Sequence, residues 1–323
     1  MKDKELQEKV KELKVLANEK KIDIHDDLNR IDAKLSGEQT QLSAWQRVER
    51  ARNQDRPNVL EYIEKISDNF IELHGDRAFA DDSALVGGIS TINGVHFTFM
   101  GHQKGRTMKE NLRRNYGWAH PEGYRKAFRL ARQAEKFHRP ILSLIDTAGA
   151  YPGIGSEERG ISEAIAANLK MFSVLKTPII VIIIGEGGSG GALGIGIGDR
   201  VYMMENATYS VISPEGFASI LLRDASKNKT AADLMKMTAK HLYKFGIIDG
   251  IIPEPAEGAH ANPDLCAANI KQTILNTWAE LKEKKPELLL KERSQKLLQL
   301  GVFEEPRNGH DSGFLKRLLK KRQ

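Results

Sequence analysis

Residues 185–191 read Gly-Glu-Gly-Gly-Ser-Gly-Gly, five glycines in seven positions. A run of this kind lets the backbone come close to other groups and frees N–H donors for a ligand. It follows Thr177-Pro178-Ile179-Ile180-Val181-Ile182-Ile183-Ile184, whose last six residues are all β-branched, the pattern of a strand buried on both faces. After it, Ala192-Leu193-Gly194-Ile195-Gly196-Ile197-Gly198 reads as a short, tightly packed helix before Asp199. Strand, glycine turn and helix start together aim backbone donors at one point. With the helix dipole added, such a point stabilises negative charge.

Several chemistries compete for that point. Gly185-x-Gly187-x-x-Gly190 matches the dinucleotide fingerprint, with Glu205 near the end of the next strand. That fingerprint normally opens its sheet, whereas here at least one strand and loop precede it, and the helix that follows is short and rich in glycine. No Lys-Ser/Thr pair follows the glycines, so the run is not a P-loop. Ser189 lies in Gly188-Ser189-Gly190 rather than in a Gly-x-Ser-x-Gly elbow, and no histidine and acid partners are evident for it. A purely structural role, in which the glycines only permit close packing, is the plain alternative. The reading that fits best is an oxyanion hole. Two adjacent N–H donors at a helix start can hold an enolate or tetrahedral oxygen, each worth roughly 3 kcal/mol at the transition state. No nucleophile set accompanies them, so the acid–base groups would come from substrate, cofactor or another subunit.

The chain that must position this point has 323 residues, 40% apolar and 28% charged, enough for one large domain or two. Its single cysteine, Cys266, excludes a disulfide framework and a cysteine-rich zinc site within the chain and fits a reducing cytosol. No apolar stretch approaches ~20 residues and the N-terminus is charged throughout, so neither a membrane span nor a signal peptide is expected. Residues 1–56 carry a narrow apolar stripe (Leu6, Val10, Leu13, Ala17, then Ile24, Leu28, Ile31, Leu35), the mark of a helical arm packing against something else. A helix is expected over 58–73 and strands over 84–91 and 95–100, joined at Asn93-Gly94 by a type I′ turn. Residues 101–115 hold five cationic side chains against Glu110, a basic loop suited to anions unless it is only a solvated surface. A helix over 121–138, a buried strand over 140–145, a Gly/Pro loop at 146–155 and a helix over 157–175 lead to the central strand. Strands over 200–204 and 209–212, a helix opening at Pro214, a helix over 230–245 and a strand over 247–253 follow. This is an α/β arrangement with parallel connections. From Pro263 the chain is helical, Pro286 separates two helices, and residues 313–323 form a basic amphipathic end. No aromatic platform or recognition helix accompanies Lys316, Arg317, Lys320, Lys321 and Arg322, so nucleic-acid binding is not expected.

Six motifs occur together in order: Gly101-His102-Gln103-Lys104-Gly105; Pro121-Glu122-Gly123-Tyr124-Arg125-Lys126-Ala127; Asp146-Thr147-x-Gly149-Ala150-Tyr151-Pro152-Gly153; residues 185–192; Tyr209-Ser210-Val211-Ile212-Ser213-Pro214-Glu215-Gly216; and Ile247-Ile248-Asp249-x-Ile251-Ile252-Pro253-Glu254-Pro255. Over roughly residues 42–262 the chain resembles the α subunit of the carboxyltransferase of bacterial multi-subunit acetyl-CoA carboxylase. The resemblance implies an α/β fold of the ClpP/crotonase type, a crotonase-like superhelix of ββα units, with a helical N-terminal arm (1–56), a carboxyltransferase domain (57–262) and a helical C-terminal extension with a basic tail (263–323). It implies a β-subunit partner in an α2β2 heterotetramer and a site between the two. It further implies carboxybiotin delivered on a separate biotin carboxyl carrier protein, acetyl-CoA as the acceptor, and ATP used only by the partner biotin carboxylase. The product would be malonyl-CoA for fatty acid biosynthesis, made in the cytoplasm with no metal held by this chain. Both biotin and the thioester pass through enolate-like oxyanions, so two oxyanion holes suffice and the protein need supply no dedicated base. By position, Gly190 and Gly191 would be this subunit's hole, serving biotin rather than the thioester. Gly187, Gly188 and Ser189, with Gly149, Ala150, Tyr151, Pro152 and Gly153, would shape the pocket, and Lys104 and Arg106 would contact anions. Ala148 departs from the proline common in the family, which leaves a looser loop and a small stability effect. The competing reading is a stand-alone crotonase-type hydratase or isomerase, for which Glu157 and Glu158 are the only nearby candidate bases.

Overall fold

The strand Ile179–Gly188 (β5) is the spine of the molecule, and its residues 179–185 are all buried. The computed structural model describes residues 42–301 and, upstream, three helical positions, Lys9, Leu13 and Leu16. The rest of the expected arm stripe and the basic end at 313–323 lie outside the described residues.

Ahead of β5 come the helices Ala44–Ala51 (α1) and Val59–Ile66 (α2), then Asn69–Glu72 (β1), Leu85–Ile92 (β2) and Val95–His102 (β3). The helices Met108–Arg113 (α3) and Pro121–Lys136 (α4) lead to Ile141–Thr147 (β4), and Ile154–Glu158 (α5) and Ile161–Val174 (α6) lead to β5. After it come Ser189–Leu193 (α7), Arg200–Met204 (β6), Thr208–Ser210 (β7), Pro214–Leu221 (α8), Asn228–Met235 (α9), Ala239–Lys244 (α10), Gly250–Ile252 (β8), Pro263–Leu281 (α11) and Pro286–Leu298 (α12). One sheet runs in the order β1-β2-β3-β4-β5-β6-β8. β1, β2 and β3 pair antiparallel, and the remaining pairs are parallel. β5 is shared: residues 180–183 pair with β6 and residues 186–188 with β7. Asn93 and Gly94 both have positive φ (48° and 77°), as the hairpin reading requires.

Four expectations need correction. The central strand does not stop at Ile184 but continues through the glycines to Gly188, because β4 and β7 both pair with that stretch. The helix after it is Ser189–Leu193, not 192–198. The stretch 58–73 divides into α2, with Asn58 and Glu61 in a reciprocal capping box, and the edge strand β1, because the chain turns extended at Ser67. The helices expected over 157–175 and 230–245 each break in two, at left-handed Gly160 (φ 77°) and Lys236 (φ 53°). No helix among the described residues is long and apolar enough to cross a membrane.

Two buried ion pairs anchor the flanks of β5. Arg56 makes a bidentate pair with Glu254 (2.6 and 2.9 Å), and Glu254 also accepts from the Asn206 backbone and side chain. From α12, Arg293 grips Asp199 with two bonds of 2.8 Å and donates to the carbonyls of Phe172, Leu175 and Thr177. Asp199 in turn accepts from the Ile179 N–H at the start of β5. Arg293 is the largest fully buried side chain and its guanidinium is saturated. Removing one partner of such a pair leaves an uncompensated buried charge. Arg293→Met is therefore expected to lose about 3–5 kcal/mol of folding stability, read as a lowered urea midpoint. Arg293→Lys should recover only part, since an ammonium cannot reach all five acceptors.

Candidate active site

The loops after β4 and β5 meet backbone to backbone. A Cβ at Gly188 would lie 2.0 Å from the Ala148 carbonyl oxygen, and one at Gly191 would lie 2.4 Å from the Gly149 carbonyl carbon. Only glycine permits that approach. Gly190 differs: a Cβ there would find Ile165 Cδ1 as its nearest neighbour, at 3.6 Å, an ordinary contact. The turn into α7 is made by Ser189 in the left-handed region (φ 50°), a conformation that costs an L-residue roughly 1–2 kcal/mol. No side chain caps α7, so the first-turn N–H groups of Ser189, Gly190 and Gly191 have no partner inside the helix. The carbonyls are tied instead: Gly190 O accepts from Gly194 N (2.9 Å) and Gly191 O from the Tyr124 hydroxyl (3.2 Å). Asn168 donates to the Tyr124 and Gly194 carbonyls, so α4, α6 and α7 are bolted together behind the turn. His102 lies there too, fully buried. Burial, with Lys104 beside it, pushes its pKa down to about 3, so the ring is neutral. The Gly191 carbonyl lies beside this ring, but neither ring nitrogen reaches a partner with good geometry.

Charge is gathered one step away. Lys104 Nζ stands 2.7 Å from Asp146 Oδ1 and 3.1 Å from Glu186 Oε2. Glu186 also takes Arg52 (2.7 Å), which reaches on to Glu215 (2.7 Å). Burial opposes the charged form of Lys104, but the two carboxylates outweigh it and its pKa is raised. Burial likewise opposes ionisation of Glu186, yet Lys104 and Arg52 hold its carboxyl below the usual range. Asp146 sits where the β4–β5 ladder breaks: Ile145 faces Ile183, but Thr147 faces Gly187. Its Oδ1 accepts the Glu186 N–H at 2.9 Å, and Arg56 Nε donates to the stranded Ile184 carbonyl at 2.6 Å. Side chains thus replace the missing ladder bonds. A Cβ at Gly185 would lie 2.4 Å from Asp146 Oδ1, so glycine makes room for the carboxylate. A cleft of about 240 Å³ opens beside the cluster, lined by Arg52, Asn58, Lys104, Trp118, Ala148 and Glu186 among others.

Of the expected site residues, Gly149, Ala150, Gly188, Ser189, Gly190 and Gly191 come together where the two loops meet. Gly187 lies within β5 opposite Tyr209. Tyr151 folds over Gly153 and stacks on His120 at 4.2 Å, while Pro152 is exposed. Lys104 and Arg106 both pair with carboxylates of this chain: half-buried Lys104 as above, and exposed Arg106 with Glu61, Nε at 2.7 Å, and with the Gln54 carbonyl. Glu157 and Glu158 are exposed on α5. Sequence reasoning does not single out Arg52, Glu186 or Asn168. Each reads as an ordinary surface or helix residue, and only the docking of α1 beside β5 brings Arg52 and Glu186 together. Among the described residues no cluster of three or more His, Cys, Asp or Glu side chains could hold a metal ion.

A family model described as acetyl co-enzyme A carboxylase carboxyltransferase-like matches residues 2–301. The chain belongs to this family. Acetyl-coenzyme A carboxylase carboxyl transferase subunit alpha of Treponema denticola is 57% identical over 293 residues, covering 91% of this chain and 96% of that protein. The subunit of the same name from Alkaliphilus oremlandii is 52% identical over 303 residues, covering 93% and 96%. Among solved structures, transcarboxylase 12S aligns with a TM-score of 0.55 at 18% identity, covering 79% of this chain but only 44% of that one. A Pseudomonas malonate decarboxylase hetero-tetramer aligns at 0.54 and 17%, covering 75% and 92%. At such identities these likenesses show the fold alone, and it is the crotonase-like α/β fold. In this carboxyltransferase family member the two glycines of the turn should behave differently. Gly190→Ala is expected to melt within about 1 kcal/mol of the wild type, since a helix favours alanine and space is available. Gly191→Ala must push the Gly149–Ala150 backbone away and should lose roughly 1–3 kcal/mol. Thermal melts of the two variants side by side check the contrast.

Proposed function

We propose that this chain is the α subunit of the carboxyltransferase of acetyl-CoA carboxylase. It would move a carboxyl group from carboxybiotin, borne on a biotin carboxyl carrier protein, to acetyl-CoA, forming malonyl-CoA for fatty acid biosynthesis. The observation that carries the site assignment is the first turn of α7, whose N–H groups are uncapped while the carbonyls behind them are tied. Donors without a neighbouring cation suit an oxygen that becomes negative only in passing, because a fixed counter-charge would hold the ground-state anion as tightly. His102 behind the turn is neutral, and Lys104 is engaged by its own carboxylates, which fits that requirement. When bound, carboxybiotin supplies the carboxyl group and the proton acceptor. The N–H groups of Gly190 and Gly191 would donate to its carbonyl oxygen, and the backbone of the loop from Gly149 to Gly153 would wall the site and exclude water.

The thioester's hole would come from a β subunit in an α2β2 assembly. Large apolar side chains left uncovered around the turn, Leu193, Ile154 and Val211, support a site completed by another chain. ATP would be used by the partner biotin carboxylase alone, and the assembly would work in the cytoplasm. A hydratase or isomerase would need a carboxylate over the acyl chain, and Glu157 and Glu158 are exposed at the end of a short helix.

The test is malonyl-CoA decarboxylation in the presence of free biotin, with this chain alone and then with a co-expressed β subunit. Activity only in the mixture is expected, and activity of the chain alone would overturn the shared site. Gly190→Pro, which deletes one donor, should lower kcat by about 10²–10³ with the complex intact. Full activity in that variant would remove the hole from Gly190.

A further inference from the structure

The charges beside the loops lie in a particular order along the chain. Lys104 follows the end of β3 by two residues. Asp146 stands at the break in β4, one residue before Thr147 and the loop to Gly153. Glu186 precedes Gly187-Gly188-Ser189-Gly190 in the same way. The ammonium of Lys104 therefore joins the ends of three adjacent parallel strands at the level where two of them release the site loops. We propose that Lys104 is a positioning residue for carboxyl transfer: bridging Asp146 and Glu186, it sets the height at which the loops after β4 and β5 interlock and hence where the Gly190 and Gly191 donors point. This rests on the assignment of the hole to that turn.

The bridge is needed because two carboxylates face each other across the broken ladder. Asp146 Oδ1 is committed to both the Glu186 N–H and Lys104, so the ammonium that meets the Glu186 carboxylate is also tied to the acid that holds the Glu186 backbone. The other charged groups around the pair are already engaged. Arg52 serves Glu186 and Glu215, Arg56 serves Glu254, and Arg106 serves Glu61. His102 is neutral. None of these can step in as a second cation between Asp146 and Glu186. Without the ammonium, Glu186 keeps Arg52 but no cation lies between the two acids, and protonating either one relieves their repulsion.

The experiment uses the complex with the β subunit and reads malonyl-CoA decarboxylation with free biotin from about pH 6 to about pH 9. Lys104→Met is expected to lower kcat by about 10- to 100-fold near neutrality, the scale of an ångström-sized misplacement, with KM for malonyl-CoA within about twofold. The deficit should narrow as pH falls, because a proton on either acid then removes the repulsion that the ammonium offsets. Lys104→Arg should recover part of kcat. In the double variant Lys104→Met with Glu186→Gln, one acid remains and the extra pH dependence should vanish. Wild-type kcat in Lys104→Met, or a deficit of equal size at every pH, overturns the proposal. If Lys104→Met does not assemble with the β subunit, Glu186→Gln alone decides: a few-fold loss of kcat at constant KM supports the bridge, and an unchanged kcat sinks it. Gly190→Pro run alongside separates the two ideas. An inactive Gly190→Pro with an unaffected Lys104→Met discards the bridge and keeps the hole, whereas a fully active Gly190→Pro discards the hole itself.

Discussion

The structure turns on one hydrogen bond between a side chain and a strand, from the Glu186 N–H to Asp146 Oδ1. Parallel strands want an unbroken ladder, and β4 and β5 keep one from Ile141 to Ile145. The ladder then breaks at Asp146 and resumes only with Thr147 opposite Gly187, just before the two strands release the site loops. An interrupted ladder strands polar backbone groups in the core, and unpaired groups there are costly. Asp146 takes one of them and Arg56 takes another. Gly185 has no side chain for this reason: the carboxylate stands where its Cβ would be.

From that arrangement follows a division of electrostatic labour. Fixed charges at the base of the loops pair with one another, while the turn at Ser189 presents backbone dipoles. Asp146, Lys104, Glu186, Arg52 and Glu215 form a continuous chain of alternating sign. Above them the turn at Ser189 offers N–H groups with no formal charge among the residues that tie it in place. Donors of this kind favour a transient oxyanion without gripping a resting carboxylate, which is the property the proposed hole requires.

Much of this is legible in the amino-acid sequence. The β-branched run announces β5, the Asn93-Gly94 pair announces its hairpin, and the glycine run announces a place of close approach. What stays hidden shares a cause. Gly187 and Gly188 resemble a turn because glycine weakens a strand, yet here they are strand residues, bare so that the Tyr209 ring can press against Gly187 and Ala148 against Gly188. β1 is lost inside a helical pattern because four residues on a sheet edge carry little periodicity. Lys104 reads as a free cation because its carboxylate partners lie 42 and 82 positions away. Local pattern reveals elements, whereas pairing between distant charges depends on strand register, which no single stretch encodes.

The contact between Gly188 and Ala148 also bears on how the protein comes to be active. Each loop is the other's wall, so neither can take up its working shape on a half-made sheet. Their strands are parallel and about forty residues apart in the chain, the kind of non-local pairing that forms slowly because loop closure must precede any reward. Catalytic competence is therefore not a local property that ripens after folding. The proposed hole takes its shape only once β4 has paired with β5.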